Sequence, residues 1–214
     1  MAYKLSISIL VLFLSAFPIL TPQISTGHAQ TILEEWDRAK APEPVKLKNV
    51  KVNPADTAFL ILDIQKSACN SKRRPRCIAS VPKIAKFLEQ AKSKGVTIVY
   101  SLAGRAKPED ILSGVAPTNE PIVKSSVDKF YKTDLEKILR DKGIKTVIIS
   151  GTTAEGAVIH TATGAAMRRF NVIVPVDGMS AGTLYAEQYT AWHLINAPGS
   201  RRRTTLTKFD MIDF

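Results

Sequence analysis

The sequence predicts a three-layer α/β/α fold of the Rossmann type, built on a mainly parallel sheet. Three observations indicate this class. First, the chain contains nearly continuous apolar runs, which are typical of strands covered on both faces. Second, segments with helical patterning separate these runs, and this alternation is the signature of βαβ units. Third, 214 residues with 45% hydrophobic content suit one domain with a sizeable core. The apolar runs lie at residues 57–64, 96–102, 146–149 and 171–176.

The helices are predicted from apolar spacing and from their start and stop signals. Gly95 and Gly143 are predicted to end the first two helices. Thr133 and Glu136 have the spacing of a capping box at the start of the second. A turn is predicted at residues 150–153, between the central strand and the small-residue helix that follows. The predicted helices are 81–94, 134–142, 155–169 and 185–196, and two further short strands are predicted at 121–124 and 204–207.

The N-terminal segment has the organisation of a secretory signal peptide. Lys4 precedes an apolar run from Leu5 to Leu20, and small residues lead up to an expected cleavage site after Ala29. The alternative is an uncleaved membrane anchor, but the run is short for a span and contains Pro18. We therefore expect residues 1–29 to be removed and the protein to be periplasmic or secreted, without stable membrane association.

Export bears on the two cysteines, Cys69 and Cys77. They flank a basic loop and could pair in an oxidising compartment, with two independent thiols as the alternative. Before this loop, residues 30–54 are polar, proline-containing and weakly patterned, which predicts an N-terminal arm. The remaining residues, 55–214, are predicted to form the single domain.

The formal net charge is +11, yet the pattern argues against a nucleic-acid partner. The positive charge is dispersed, with small clusters at 72–76 and 201–203. No aromatic residues alternate with these clusters to form a stacking platform. A net positive charge also favours binding of anionic small molecules or anionic surfaces. We therefore expect a small-molecule substrate and no nucleic acid.

Four segments together resemble the motifs of the isochorismatase-like superfamily, also called the cysteine hydrolases. Leu60–Gln65 resembles the first motif, with Asp63 at its centre. The second has a lysine, then a phenylalanine, then Thr-x-Leu, and residues 121–135 match it through Lys124 and Phe130. The third and fourth segments, the glycine-rich turn at 151–158 and the acidic turn at 177–181, follow in order, so the resemblance covers about residues 55–210.

The resemblance implies a set of site residues at the carboxyl edge of the sheet. Asp63 and Lys124 would be the catalytic acid–base residue and its cation, and Ala157 would occupy the position of the family's nucleophilic cysteine. The family's cis peptide bond would fall between Thr152 and Thr153, and the backbone N–H groups of Thr153 and Ala157 would form an oxyanion hole.

Three further residues near these motifs are candidates for substrate binding: Gln65, Phe130 and Glu155. Glu155 could instead be a first-turn carboxylate favoured by the helix dipole. The resemblance also implies self-association as a homo-oligomer, and Tyr185, Tyr189 and Trp192 are expected in the core or at that interface.

Alanine at position 157 cannot attack an amide, so the cysteine-dependent mechanism does not apply. The resemblance includes enzymes that cleave a vinyl ether by using the aspartate as proton donor, without a covalent intermediate. We therefore expect a hydrolase of a small polar molecule that uses Asp63 and Lys124, acting on a vinyl ether or a related C–O or C–N bond. The alternative is a catalytically silent relative that binds a ligand or a protein. His160 and His193 lack the metal-binding Asp-x-His pattern of some relatives, so we expect no metal and no cofactor.

Overall fold

The structure is a computed structural model in which residues 31–214 are described. Two units can be distinguished in the chain, Met1–Ala41 and Pro42–Phe214. In the first unit, the described residues form helix α1 (Ile32–Glu35) and a 3₁₀ turn at Trp36–Arg38. The predicted signal peptide lies outside the described residues. Within the described part, no helix is long and apolar enough to cross a bilayer.

The second unit is built on a parallel sheet in the order β4-β3-β2-β5-β6-β8, and β7 pairs with the end of β5. This architecture is the predicted α/β class with a mainly parallel sheet. The two central strands, β2 and β5, are almost entirely buried, which explains why their sequences are continuous apolar runs. The sheet strands are β2 (Thr57–Leu62), β3 (Thr97–Leu102), β4 (Ile122–Lys124), β5 (Thr146–Thr152), β6 (Asn171–Pro175), β7 (Met179–Ser180) and β8 (Thr204–Thr207).

Helices cover both faces of the sheet and divide the core into two clusters. Alternation along β2 sends Leu60 and Leu62 to one cluster and Phe59 and Ile61 to the other. Helices α3, α4 and α5 contribute to the first cluster, and α2 contributes to the second. The helices are α2 (Pro75–Ser93), α3 (Leu135–Asp141), α4 (Ile159–Met167) and α5 (Leu184–Asn196), and a π-helical turn at Ala154–Val158 leads into α4.

Part of the predicted N-terminal arm is integrated into the second unit. Strand β1 (Val50–Lys51) pairs in parallel with the C-terminal strand β9 (Ile212–Asp213). Val45 and Leu47 pack against the first core cluster. Although residues 42–54 are mostly polar, a few apolar contacts therefore attach this segment to the domain.

Several element boundaries differ from the predictions, including α4, which begins at Ile159 and ends at Met167 rather than spanning 155–169. Helix α2 begins at Pro75 rather than at residue 81, because proline suits the first turn of a helix and the basic residues there are solvated. Strand β5 continues through Thr152, since β7 extends its pairing. The predicted capping box was wrong. Helix α3 begins at Leu135 with Asp134 as its N-cap. The Thr133 hydroxyl accepts from the Leu135 N–H, and Glu136 pairs with Arg168 instead of capping the helix.

Candidate active site

Asp63 lies directly after β2, at the carboxyl edge of the sheet, where open α/β folds bind their ligands. Its side chain is only 7% exposed, and its backbone has a φ of 54°. The hydroxyl of Ser101, on the adjacent strand β3, donates to Asp63 Oδ1 over 2.7 Å. The neighbouring strand therefore fixes the orientation of this carboxyl.

The cation that contacts Asp63 is Lys129. Its Nζ lies 2.8 Å from Asp63 Oδ2, and the side chain is fully buried. The ammonium also donates to the carbonyl oxygens of Ser125 and Ser126, so its three protons all have acceptors. The Lys129 N–H donates to Thr161 Oγ1 on α4. Lys129 is thus held rigidly beneath the carboxyl.

Lys124, the lysine chosen from the sequence, occupies a different place. It ends β4, is exposed and lines the cavity above Asp63. Within the described chain it forms no salt bridge with Asp63; Lys129 takes that position. Both lysines fall within the second motif. The motif predicts a functional lysine at the end of the strand, which is Lys124. Lys129 is buried by the path that the chain takes through residues 125–128, and no sequence pattern predicts that path.

The surroundings of Asp63 act on its pKa in opposite directions. Burial raises the pKa of Asp63 above its usual range, because a carboxylate loses hydration there. The Lys129 ammonium and the Ser101 hydroxyl stabilise the carboxylate and oppose this effect, but burial is the larger influence. Asp63 can therefore hold a proton at a higher pH than an exposed aspartate, while a carboxylate formed there is immediately stabilised.

The turn after β5 brings backbone groups to the same edge. The Thr152–Thr153 peptide bond is cis, and the Thr153 carbonyl accepts hydrogen bonds from Gly156 and Val158. Gly151 is required before it, since its φ is 126° and a Cβ atom there would lie 2.0 Å from the Leu62 carbonyl oxygen. This close approach of β5 to β2 places the turn beside Asp63.

Ala157 lies in the π-helical turn at Ala154–Val158 and is 3% exposed. It lines the same cavity as Asp63, Thr152 and Thr153. The methyl group of Ala157 therefore occupies the point at which the resemblance expects a nucleophile. The structure brings six of the residues selected from the sequence to this cavity: Asp63, Gln65, Lys124, Thr152, Thr153 and Ala157.

A cavity of about 650 Å³ opens over these residues. Its size suits a small molecule. Asp63 and Ala157 belong to its lining, and loops after β2 and β3 supply much of the rest. Four cationic side chains also line it: Arg73, Arg74, Arg105 and Lys124. The three arginines were not predicted as site residues; the only sequence signal for two of them is the basic cluster at 72–76.

The three residues proposed as substrate contacts have different surroundings. The Gln65 amide lines the cavity, but it accepts from the Ala103 N–H and donates to the Ala103 carbonyl, so it holds the loop after β3. Phe130 does not line the cavity; it is 5% exposed in the core, with its ring centroid 6.1 Å from that of Phe170. Glu155 is exposed and lines a separate, neighbouring groove.

Cys69 and Cys77 form a disulfide that joins the start of α2 to the loop after β2. Both cysteines are buried. The loop between them carries Arg73 and Arg74, and the Arg74 guanidinium donates to the Ala68 carbonyl over 2.8 Å. The disulfide therefore anchors the segment that brings these two arginines to the cavity.

Histidine, cysteine and carboxylate side chains do not gather into a metal-binding group of three or more anywhere in residues 31–214. The His160 ring, exposed on α4, is hydrogen-bonded through Nδ1 to the Gly156 carbonyl oxygen at 2.8 Å. The candidate site thus consists of an acidic residue, a buried cation and a basic cavity wall.

Comparison with known proteins identifies relatives of this chain. A family model described as the isochorismatase domain matches residues 57–205. Among curated proteins, the uncharacterised isochorismatase family protein YecD of Escherichia coli O157:H7 is 36% identical over 76 residues, which is 36% of this chain and 39% of that protein. The chain matches less than half the length of its curated relatives.

Solved structures show the same fold at low sequence identity. An isochorismatase family protein from Desulfovibrio vulgaris subsp. vulgaris str. Hildenborough matches with a TM-score of 0.65 and 21% identity, covering 73% of this chain and 95% of that one. N-carbamoylsarcosine amidase from Thermoplasma acidophilum matches with a TM-score of 0.62 and 22% identity, covering 72% and 97% of the two chains.

Proposed function

This chain belongs to the isochorismatase family, whose members are hydrolases, and from that premise we propose that it hydrolyses a small polar molecule without a cysteine nucleophile. The single observation that carries the proposal is the buried Asp63–Lys129 pair, whose carboxyl lines the cavity at the carboxyl edge of the sheet. The bond we favour is a vinyl ether or a related C–O or C–N bond, because cleavage there needs a proton donor and water rather than a thiol.

In the proposed reaction, protonated Asp63 donates its proton to the terminal alkene carbon of a vinyl ether. The substrate becomes an oxocarbenium ion, and Asp63 becomes a carboxylate that Lys129 and Ser101 stabilise. Water then attacks the cationic carbon and gives a proton back to Asp63. The resulting hemiketal breaks its C–O bond to yield a carbonyl compound and an alcohol, so the enzyme is restored with one water consumed.

Proton donation by Asp63 depends on both burial, which raises its pKa, and the nearby ammonium of Lys129, which lowers it. Burial keeps a proton available on the carboxyl, and the fixed ammonium lowers the cost of losing it during proton transfer. A fully satisfied ion pair also suits a site that only binds a ligand, so a catalytically silent binding protein is the second candidate.

Turnover by the purified protein separates the two candidates. A panel of small enol ethers and small amides would be offered, with mass detection of products, to the parent protein and to Asp63→Asn. We expect hydrolysis by the parent and its loss, by at least a hundredfold, in the variant. Asparagine is the appropriate replacement, since it tolerates the positive φ of Asp63.

The matched control is Asp141→Asn, which makes the same chemical change at an exposed residue of α3. It should retain full activity. Equal turnover by Asp63→Asn and the parent would refute the proposed role of Asp63, and absence of turnover by the parent would favour the binding candidate.

A further inference from the structure

The cavity wall is strongly cationic. Of its described lining residues, Asp63 is the single carboxyl, and it already contacts Lys129. Against it stand the four cationic side chains Arg73, Arg74, Arg105 and Lys124. A cavity with walls of one sign attracts ligands of the opposite sign.

The four cations are not neutralised by direct contact with a carboxylate of the described chain. In the part of the chain that the structure describes, none of the four forms a salt bridge. By contrast Arg76, two residues beyond Arg74, pairs with Glu187. The pKa of Arg74 is lowered mainly by burial and also by the neighbouring Arg73, while Glu155 in the adjacent groove acts in the opposite direction without forming a salt bridge.

Arg73, Arg105 and Lys124 are exposed, but the loops that carry the three arginines are held in place by the fold. The disulfide fixes the loop that carries Arg73 and Arg74, and the Arg74 guanidinium is hydrogen-bonded to a backbone carbonyl. Gln65 holds the loop after β3, on which Arg105 lies, by two hydrogen bonds to Ala103. Cations gathered around one cavity repel each other, and a bound anion would relieve that repulsion.

We propose that the substrate of this site is a small organic anion, whose carboxylate or phosphate group is bound by Arg73, Arg74 and Arg105, with Lys124 at the cavity mouth. This inference rests on the proposed function, since it names the chemical class of its substrate. Guanidinium groups offer paired N–H donors that match both carboxylate and phosphate oxygens. The anionic group would bind at the part of the cavity formed by Arg73, Arg74 and Arg105, here called the arginine wall. The reacting bond would face Asp63 and Ala157.

Calorimetric titration of the full chain tests this assignment independently of catalysis. The ligands would be succinate, its neutral analogue succinamide, and inorganic phosphate, and the protein would be the Asp63→Asn variant so that no turnover intervenes. We expect an anion to bind and succinamide not to bind. Tighter binding of succinate would identify a carboxylate site, and tighter binding of phosphate a phosphate site.

The variant Arg73→Gln/Arg105→Gln should weaken anion binding at least tenfold. Lys72→Gln is the matched control, because Lys72 lies in the same disulfide-closed loop, is exposed and does not line the cavity. It should bind the anion as the parent does.

Equal affinity for succinate and succinamide, no binding of either anion, or an equal loss in Lys72→Gln and in the arginine variant would overturn the proposal. Because the readout is binding to an inactive variant, anion binding without any turnover by the parent would leave this assignment standing and reject only the hydrolytic function.

Discussion

At the scale of single residues, the chemistry depends on how Asp63 keeps its proton. Burial raises the pKa of Asp63, and the donors on Lys129 and Ser101 oppose that rise. The reacting form is the protonated acid, and its population falls as the pH rises through the pKa. Activity should therefore decline on the alkaline side, with a midpoint above the ordinary aspartate value of about 4.

Replacing Ser101 by alanine should move this decline to still higher pH. The hydroxyl donates to the carboxylate over 2.7 Å, so its loss favours the protonated form. A hydrogen bond to a charged group is worth about 1.5–3 kcal/mol, which corresponds to a shift of roughly one to two pH units. The measurement is the pH profile of kcat/KM.

The control for that profile is Ser126→Ala, which removes a hydroxyl from the cavity wall without altering a hydrogen bond to Asp63. Its profile should match that of the parent. A shift of the Ser101→Ala profile toward lower pH would contradict the assignment of Asp63 as the proton donor.

Lys129 should matter to stability as well as to activity. Its removal leaves a buried carboxyl without its cation, and breaking a buried pair typically costs about 3–5 kcal/mol. We expect Lys129→Met to lower the urea midpoint markedly and the double variant Asp63→Asn/Lys129→Met to recover part of the loss. Lys137→Met, which breaks an exposed pair with Asp141, should change the midpoint little.

Two results would contradict this view of the pair. One is a Lys129→Met variant as stable as the Lys137→Met control. The other is a double variant that remains active, because the pair is then dispensable for the chemistry.

At the scale of elements, the disulfide loop links stability to ligand binding. Cys69 and Cys77 are eight residues apart, and closing a loop of this length stabilises a protein by about 2–3 kcal/mol in the chain-entropy model. We expect Cys69→Ala/Cys77→Ala to lower the unfolding free energy by about that amount. Its KM should rise more than its kcat falls, because the loop carries two arginines and not Asp63.

Urea unfolding and steady-state kinetics measure the two effects separately. An unchanged KM together with the expected destabilisation would show that the disulfide serves folding alone and does not position the arginines.

At the scale of the whole molecule, the fold was largely predictable because its strongest signals are local. Continuous apolar runs marked the buried strands, and glycines marked helix ends such as Gly95 and Gly143. Asp63 was recognisable because it follows such a run. Lys129 could not be recognised from the sequence, because its burial depends on the path of residues 125–128 and on contacts with α4.

The sequence did not predict that the arginines of this wall lie together, for a similar reason. Arg73 and Arg105 lie on loops that follow different strands, and only the parallel sheet brings them to one cavity. Phe130 shows the opposite error. Its position in a motif suggested a ligand contact, whereas its ring packs in the core against Phe170.

Self-association is a prediction at the same scale. Tyr185, Tyr189 and Trp192 share one face of α5 by their spacing and are 74%, 40% and 42% exposed. We expect a homo-oligomer in sedimentation equilibrium, and a lower mass for Tyr185→Ser/Trp192→Ser. Tyr131→Ser, which changes another exposed tyrosine, should keep the parent mass. A monomeric parent would contradict the prediction.

The central claim is that hydrolysis proceeds without a nucleophile at position 157. The most direct measurement compares turnover of enol ethers and amides by the parent protein and by Ala157→Cys, whose thiol would enter the cavity beside Asp63. We expect hydrolysis by the parent protein, which has no cysteine at this position. Turnover that appears only in Ala157→Cys would contradict it, and would show a retained pocket that has lost its nucleophile.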